Sequence, residues 1–284
     1  MKLRSPRLLL AALCVTALAT TTGCGGEDAA STPTTPAAAT TSASDTSSTT
    51  EPEPAYRSWI ANVRPEVTSI VVHDSPGGTQ LQLDTSGLGP MNPVAIPNPL
   101  PSGAPTTLMI KAGTTSGTTS GSAGVEAGGS IWHEVYLPVR PNGSTGWVAD
   151  ADVTLTHTDM AATISLSAHT LELRSEDQPI ATYPVAVGEV ETPTPIGTFF
   201  VKELVQPPNP GGSYGPLAFG LSAFSPTLVD TEAFADGVIG IHGTDQPELI
   251  GTDVSHGCVR VRNEDILDLK VREVPLGMPV TITA

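Results

Sequence analysis

The chain has 284 residues and a formal net charge of −16, with 13 Lys and Arg against 29 Asp and Glu. Binding to phosphates needs clustered Lys and Arg, so nucleic acid is excluded as an expected partner, as is a polybasic attachment to anionic lipid. Only three cysteines are present, Cys14, Cys24 and Cys258, and the first falls in a segment that is expected to be removed. A disulfide framework is therefore excluded.

The first 23 residues are typical of an export signal. Lys2, Arg4 and Arg7 form a basic start, and an apolar run follows at residues 8–19. This run is shorter than the roughly 20 apolar residues that span a bilayer, so it fits the apolar region of a signal peptide.

A small residue, Gly23, directly precedes Cys24 at the end of this leader. The pair resembles a bacterial lipoprotein cleavage site, which implies a signal peptide over residues 1–23 and a lipid chain on Cys24. The alternative is a plain secretory cleavage site after "ALA" at residues 17–19. Both alternatives predict an exported protein of the cell envelope, and the first predicts a membrane-anchored lipoprotein.

Residues 24–54 are rich in Ser, Thr, Ala and Pro and contain no aromatic residue. Such a segment cannot bury enough apolar surface to offset its ordering entropy, so we expect a disordered tether. A linker without any positional role is the alternative. In the remaining chain, short β-branched runs alternate with Gly and Pro, which predicts an all-β fold.

Strand-like runs in residues 55–157 predict a first β domain. The runs "VTSIVVHDSP", "TTLMIKAG", "IWHEVYLPV" and "WVADADVTL" end in turns, and Asn142-Gly143 between two of them predicts a hairpin. Their order resembles a bacterial SH3-like barrel, which implies a module that binds or is positioned on the cell wall. The alternative is a packing domain that binds nothing.

Residues 158–284 contain further strand-like runs and one predicted helix. The stretch "TISLSAHTLELRSEDQPIATYPVAVG" is typical of strands joined by tight turns, and "GVIGIHG" is typical of a short buried strand ending at His242. Asn263 is the predicted cap of the helix, and Pro275 lies beyond its end. The acidic first turn and the apolar face of this helix are predicted to consist of Glu264, Asp265, Ile266, Leu267 and Leu269.

Cys258 lies in the stretch "TDVSHGCVRVRN", two residues after His256. A free thiol has a pKa of about 8.5, so it is mostly protonated at neutral pH unless an imidazole accepts its proton or, as a cation, holds the thiolate. Gly257 permits a sharp turn in which successive N–H groups point at one spot, as a tetrahedral oxyanion requires. Arg260 is suited to bind a carboxylate. With His242 nearby, the pattern predicts a nucleophile, a base and oxyanion donors.

The stretches "IGIHGT" at residues 239–244 and "SHGCVR" at residues 255–260 closely resemble the catalytic domain of bacterial L,D-transpeptidases. The stretches "TPTPIGTFF", "YGPLAFGLS", "NEDILDL" and "VPLGMPVTI" match as well. The resemblance implies a β-sandwich catalytic domain that acts on peptidoglycan stem peptides. It implies attack on the third-residue carbonyl of a tetrapeptide, release of D-alanine and transfer of the acyl group to an amine of another stem, giving a 3-3 cross-link. It also implies inhibition by carbapenem-type β-lactams.

The same resemblance assigns roles to individual residues. Cys258 matches the nucleophile, His242 the general base, and the Gly243 carbonyl the group that orients His242. The N–H groups of Gly257 and Cys258 match the oxyanion hole, and His256 matches a second histidine with a structural or pocket-forming role. The substrate-binding set implied by the resemblance is Arg260, Tyr214 and Phe219.

Three alternatives stay open at the level of sequence. The first is a zinc site, which would use His242, His256 and Cys258 as ligands and leave one position open. No Cys pair or HExxH run supports it, so we expect no metal and no cofactor. A carboxypeptidase would use the same nucleophile with water as the acceptor. A non-enzymatic wall-binding lipoprotein would keep the domain as a scaffold, but the intact motif favours an enzyme.

Overall fold

The computed structural model describes residues 57–83, 95–112, 124–228 and 237–284. The predicted signal peptide at residues 1–23, the predicted lipidation site Cys24 and the predicted tether at residues 24–54 lie outside the described residues. Within the described part of the chain, no helix is both long enough and apolar enough to cross a membrane.

Strands dominate the described residues, which confirms the prediction of an all-β chain. Those of the first module are β1 (Ser58–Val63), β2 (Ser69–Val71), β3 (Ala95–Pro97), β4 (Thr107–Met109), β5 (Val125–Ala127), β6 (Ser130–Tyr136), β7 (Thr145–Ala149) and β8 (Val153–Thr158). Those of the second module are β9 (Met160–Ser165), β10 (Thr170–Ser175), β11 (Gln178–Pro184), β12 (Val187–Gly188), β13 (Gly197–Val205), β14 (Ala218–Phe224), β15 (Val238–His242), β16 (Asp253–Ser255), β17 (Val259–Arg260) and β18 (Pro279–Thr283). The helix α1 covers Asn263–Val271.

The first module consists of small sheets around one apolar core. Strands β4, β1 and β8 form one sheet, β5, β6 and β7 a second, and β2 and β3 a third. The predicted turn at Asn142-Gly143 lies between β6 and β7, which pair antiparallel as expected for a hairpin. The core contains Ile70, Ile96, Leu108, Val135, Val148 and Val153. The likeness of this arrangement to an SH3-like barrel stays a prediction.

The second module is built on one eight-stranded sheet in the order β11-β10-β9-β18-β13-β14-β15-β17. The sheet curls, because Ala186, just beyond β11, exchanges two backbone hydrogen bonds of 2.8 and 2.9 Å with Arg260 of the opposite edge strand. Strands β15 and β17 run parallel, and His242 lies directly beside Arg260 in their register. The curl therefore brings both edges of the sheet to the end of β15.

The helix α1 packs behind this edge but differs in two ways from its prediction. Asn263 is the first helical residue rather than the cap, and its side chain accepts a hydrogen bond from the Thr244 N–H at 2.9 Å. Ile266 and Leu269 are buried, whereas Leu267 is 44% exposed. Leu267 was wrongly assigned to the apolar face, because residues three apart share a helix face and adjacent residues do not.

The two modules pack together through β13. Phe199 and Phe200 point to opposite faces of this strand, as alternating residues of a strand must. Phe199 lies in the apolar core of the second module, and Phe200 lies in the core of the first. Because Phe200 is completely buried, the second module supplies part of the first module's core.

We expect Phe200→Ala to lower the free energy of unfolding by about 3–5 kcal/mol, because it opens a cavity in a fully buried position. Leu204→Ala, in the exposed part of the same strand, is the matched control and should cost less than about 1 kcal/mol. Urea unfolding followed by circular dichroism measures both. Equal losses for the two variants would contradict the packing of Phe200 between the modules.

Candidate active site

One open cavity of about 330 Å³ lies at the end of β15 in the second module. His242 ends β15, Arg260 lies in the neighbouring β17, and Cys258 directly precedes β17. Five of the residues predicted from the sequence line this cavity: Cys258, His242, His256, Arg260 and Tyr214. The other lining residues are Ser213, Leu228, Gly237, Val238, Ile239 and Ser255.

His242 is buried, and its orientation is fixed by its neighbour. Its Nδ1 lies 2.6 Å from the Gly243 carbonyl oxygen. A carbonyl only accepts hydrogen bonds, so Nδ1 carries the proton and Nε2 is left as an acceptor. Burial lowers the pKa of His242 to about 4; the bond to Gly243 opposes this shift, and the charge of Arg260 adds to it. The imidazole is therefore neutral at pH 7.

Cys258 is half-buried and directs its sulfur toward β15, where Sγ lies 3.9 Å from the Val238 carbonyl oxygen. Burial raises the pKa of the thiol, while a backbone hydrogen bond at Gly240 and the charge of Arg260 lower it. Since burial is the largest of these effects, the resting thiol is protonated at neutral pH. With His242 also neutral, the resting pair carries no charge.

The turn that holds Cys258 is fixed by hydroxyl groups that the sequence interpretation missed. Gly257 has a φ of +111°, a conformation open to glycine, and its N–H donates to Ser255 Oγ at 3.1 Å. Ser255 Oγ donates in turn to the Cys258 carbonyl at 2.5 Å. Thr194 donates to the Gly257 carbonyl at 2.9 Å, and Thr192 donates to the Ser255 carbonyl at 3.1 Å. Ser255 lies two residues before Gly257, and a hydroxyl beside a glycine turn is a usable sequence signal for its bond. Thr192 and Thr194 lie 63 residues from their partners, so no local pattern indicates their bonds.

This bonding bears on the predicted oxyanion hole. The Gly257 N–H already donates a hydrogen bond to Ser255 Oγ. It can donate to an oxyanion only if this hydrogen bond breaks. The role of the Gly257 and Cys258 N–H groups stays a prediction.

The Gly243 carbonyl is held in place by close packing against α1. A Cβ atom on Gly243 would overlap the Asn263 Oδ1 atom, and so would a Cβ on Gly215, whose φ is +62°. The same Asn263 oxygen accepts the N–H of Thr244, the residue after Gly243. The side chain of Asn263 thus fixes the peptide that orients His242.

The rim of the cavity carries an aromatic ring and two basic side chains. The Tyr214 ring lies 4.7 Å from the His242 ring, and burial together with the nearby Cys258 raises its pKa. His256 is exposed at the rim. Arg260 Nη1 donates to Gln246 Oε1 at 3.3 Å, and its buried Nε has no hydrogen-bond partner within the described residues. Arg260 therefore keeps donor capacity for an anionic group.

The prediction that Phe219 forms part of the substrate groove is wrong. Phe219 is only 1% exposed, belongs to the apolar core and does not line the cavity. It lies in β14, opposite Ile241 of β15, and both faces of β14 are covered. A strand that is apolar throughout gives no sequence signal for which residues face a ligand.

The described residues contain no group of three or more His, Cys, Asp or Glu side chains arranged to hold a metal ion. His242, His256 and Cys258 share the cavity without forming such a group. The geometry therefore gives no support to the zinc alternative.

The fold and the cavity define a curled-sheet domain with a neutral Cys–His pair beside an arginine. Residues 159–282 match the family model of the L,D-transpeptidase catalytic domain, YkuD. The match ends two residues before the C-terminus and does not include the first module.

A Bacillus licheniformis protein, provisionally named L,D-transpeptidase YkuD, is 40% identical over 120 residues, which are 42% of this chain and 63% of that protein. The chain thus spans less than two thirds of that relative's length. A solved L,D-transpeptidase from Mycobacterium tuberculosis H37Rv covers 63% of this chain and 90% of its own, at 13% identity and a TM-score of 0.38. The structure of LdtMt1 in complex with imipenem covers 60% of this chain and 99% of its own, at 17% identity and a TM-score of 0.35. The likeness to this family rests on the sequence matches alone.

The lowered pKa of His242 predicts a specific loss of stability in acid. Its pKa is about 4 in the folded protein and near its ordinary value of 6.5 when unfolded. Below pH 6.5 the unfolded chain binds a proton that the folded chain does not, so stability falls as the pH drops from 6.5 to 4, by about 3 kcal/mol. Urea unfolding at pH 7 and pH 4 should show that His242→Gln loses less stability than the wild type over this interval. His157→Gln, at an exposed position, should follow the wild type, and equal losses in all three proteins would contradict the assignment.

Proposed function

We propose that the chain is a peptidoglycan L,D-transpeptidase in which Cys258 is the nucleophile and His242 is the general base. The observation that carries the proposal is that Cys258 and His242 line the same cavity. There the Gly243 carbonyl accepts the hydrogen bond of His242 Nδ1 and leaves Nε2 as the proton acceptor. The match of residues 159–282 to the family model supports acyl transfer between stem peptides as the reaction.

In the acylation step, Cys258 Sγ attacks the carbonyl carbon of the third residue of a tetrapeptide stem. The thiol proton passes to His242 Nε2, and the carbonyl oxygen becomes a tetrahedral oxyanion near the backbone N–H groups of the turn. When the oxyanion collapses, the bond to D-alanine breaks, and its amine leaves with the proton from His242. The product is a thioester on Cys258.

In the second step, an amine of another stem attacks the thioester carbonyl. His242 takes a proton from the amine and returns it to the sulfur as the thioester bond breaks, so the thiol is restored and a new amide cross-link remains. Water in place of the amine gives a tripeptide carboxylate by the same route. Both outcomes use the same groups of the protein.

The electrostatics of the cavity support this order of events. Because Cys258 and His242 are both neutral at rest, we expect the transfer of the thiol proton to His242 to be coupled to the attack. The guanidinium of Arg260 lines the same cavity, has an unpartnered buried Nε within the described residues, and is suited to a stem carboxylate. We assign it to substrate binding.

Incubation of the protein with tetrapeptide stems, followed by mass spectrometry, should give cross-linked dimer and free D-alanine. Tripeptide alone would assign a carboxypeptidase. No product, with wild-type protein that is folded, would favour the scaffold alternative and contradict the proposed activity.

Variants test the roles of the two central residues. Cys258→Ser should abolish turnover, and His242→Ala should slow acylation by roughly 10²–10⁴, the usual loss for a general base. Carbapenem should add its mass to the wild type, because the β-lactam carbonyl is attacked by the same sulfur. An adduct on Cys258→Ala, or full-rate acylation of His242→Ala, would contradict the assignment. Thr281→Ala, remote from the cavity lining, should react like the wild type.

We also propose that the protein is exported to the cell envelope and anchored to a membrane by a lipid on Cys24, facing the cell wall. The basic start, the short apolar run and the Gly23-Cys24 pair support this proposal. Cys24→Ala should move the protein from the membrane fraction to the soluble fraction. A soluble wild-type protein that begins at Thr20 would assign the plain secretory alternative instead.

A further inference from the structure

The loop between β6 and β7 of the first module reaches the second module beside the cavity. Arg140 Nη1 donates to the Ser225 carbonyl at 2.9 Å, and Nη2 donates to the Leu228 carbonyl at 3.1 Å. The guanidinium carbon lies 4.8 Å from the centre of the Phe224 ring, within the range of a cation–π contact. Leu228 lines the cavity, so the Arg140 side chain holds a cavity residue by the main-chain carbonyl of Leu228.

A second side chain of the same loop supports the end of β14. The Asn142 amide donates to the Phe224 carbonyl at 2.7 Å, and the Phe224 N–H donates to Asn142 Oδ1 at 2.9 Å. Asn142 thus satisfies both main-chain groups of a buried residue, as a neighbouring strand would. Phe224 is aligned with Val238 of β15, whose carbonyl lies next to the Cys258 sulfur.

Gly237 lines the cavity and contacts the segment that Arg140 holds. The Ser225 N–H donates to the Gly237 carbonyl at 2.7 Å. Gly237 has a φ of +76°, and a Cβ on it would overlap the Leu228 carbonyl oxygen and lie 2.9 Å from Arg140 Nη2. Arg140 therefore packs directly against the main chain of Leu228 and Gly237, which both line the cavity.

We propose that Arg140, assisted by Asn142, is a positioning residue for binding of the donor stem. The guanidinium spans two carbonyls and holds the wall formed by Leu228, Gly237 and Val238 against the Cys258 side of the cavity. The first module is then a part of the active site. This inference rests on the proposed function, and because Arg140 is not among the residues that line the cavity, its effect falls on binding more than on the chemical step.

Steady-state kinetics with a tetrapeptide stem test the proposal. Arg140→Ala loses two charge-assisted hydrogen bonds, so the KM should rise at least about tenfold while kcat changes by less than about threefold. Arg140→Lys should be intermediate, because a lysine ammonium is a point charge that lacks the planar fork spanning both carbonyls. Iodoacetamide is too small to contact the wall formed by Leu228, Gly237 and Val238. The rate at which it alkylates Cys258 should therefore change little in either variant.

Arg57→Ala is the matched control. Arg57 also joins the two modules, through a 3.1 Å ion pair with Asp159, but it lines a different cavity together with Thr198. Its KM should equal that of the wild type. An equal rise in KM for Arg57→Ala and Arg140→Ala would assign the effect to docking of the modules in general and would overturn the specific role of Arg140.

Amide hydrogen exchange gives a second readout that does not depend on turnover. In Arg140→Ala the Phe224 and Ser225 amides should exchange faster than in the wild type, while the amides of β9 and β10 should not. Unchanged exchange together with an unchanged KM would overturn the proposal. If wild-type protein lacks turnover but exchange still rises in Arg140→Ala, the proposed function fails while the support of the cavity wall stands.

Discussion

The hydrogen bond between His242 and the Gly243 carbonyl is the constraint on which the site depends. It decides which ring nitrogen carries the proton, and so which one faces the cavity as an acceptor. The carbonyl is held in place because Gly243 packs against Asn263, and the Asn263 side chain also accepts the Thr244 N–H of the same peptide unit. Asn263 starts the helix that follows the Cys258 turn by only a few residues. The orientation of the base and the position of the sulfur are therefore set by the same short segment of chain.

Burial then determines the charge state of the pair. It lowers the pKa of His242 and raises the pKa of Cys258, so both shifts favour the uncharged forms. Neither side chain is held in its charged form in the resting site. Arg260 places a permanent positive charge on the lining of the cavity in a strongly acidic chain, which makes the cavity favourable for an anionic group. The hydrogen bonds of the hydroxyl groups around Gly257 stabilise the conformation of the turn.

The parts of the site that could be predicted from the sequence are those in which neighbours in the chain are neighbours in space. His256, Gly257 and Cys258 are consecutive, and His242 ends an apolar strand that is readable on its own. Two of the wrong assignments, those of Asn263 and Phe219, come from tertiary contacts. Asn263 has the residue type of a helix cap, but a distant N–H at Thr244 takes its oxygen instead. Phe219 belongs to a strand covered on both faces, where alternation carries no information. The insertion of β18 between β9 and β13 likewise follows from no local pattern.

The residues that support the candidate site extend beyond the part of the chain that matches the family model. The match to the family model begins at residue 159, and both Cys258 and His242 lie inside it. The wall of the cavity at Leu228, however, is bonded to Arg140, and the strand below it carries Phe200 into the core of the first module. A catalytic domain cut at residue 158 would keep its sulfur and its imidazole, but it would lose the guanidinium that spans two carbonyls and would expose a large aromatic ring. Under the proposed function, the chemistry is local to the second module, whereas residues of both modules shape the cavity.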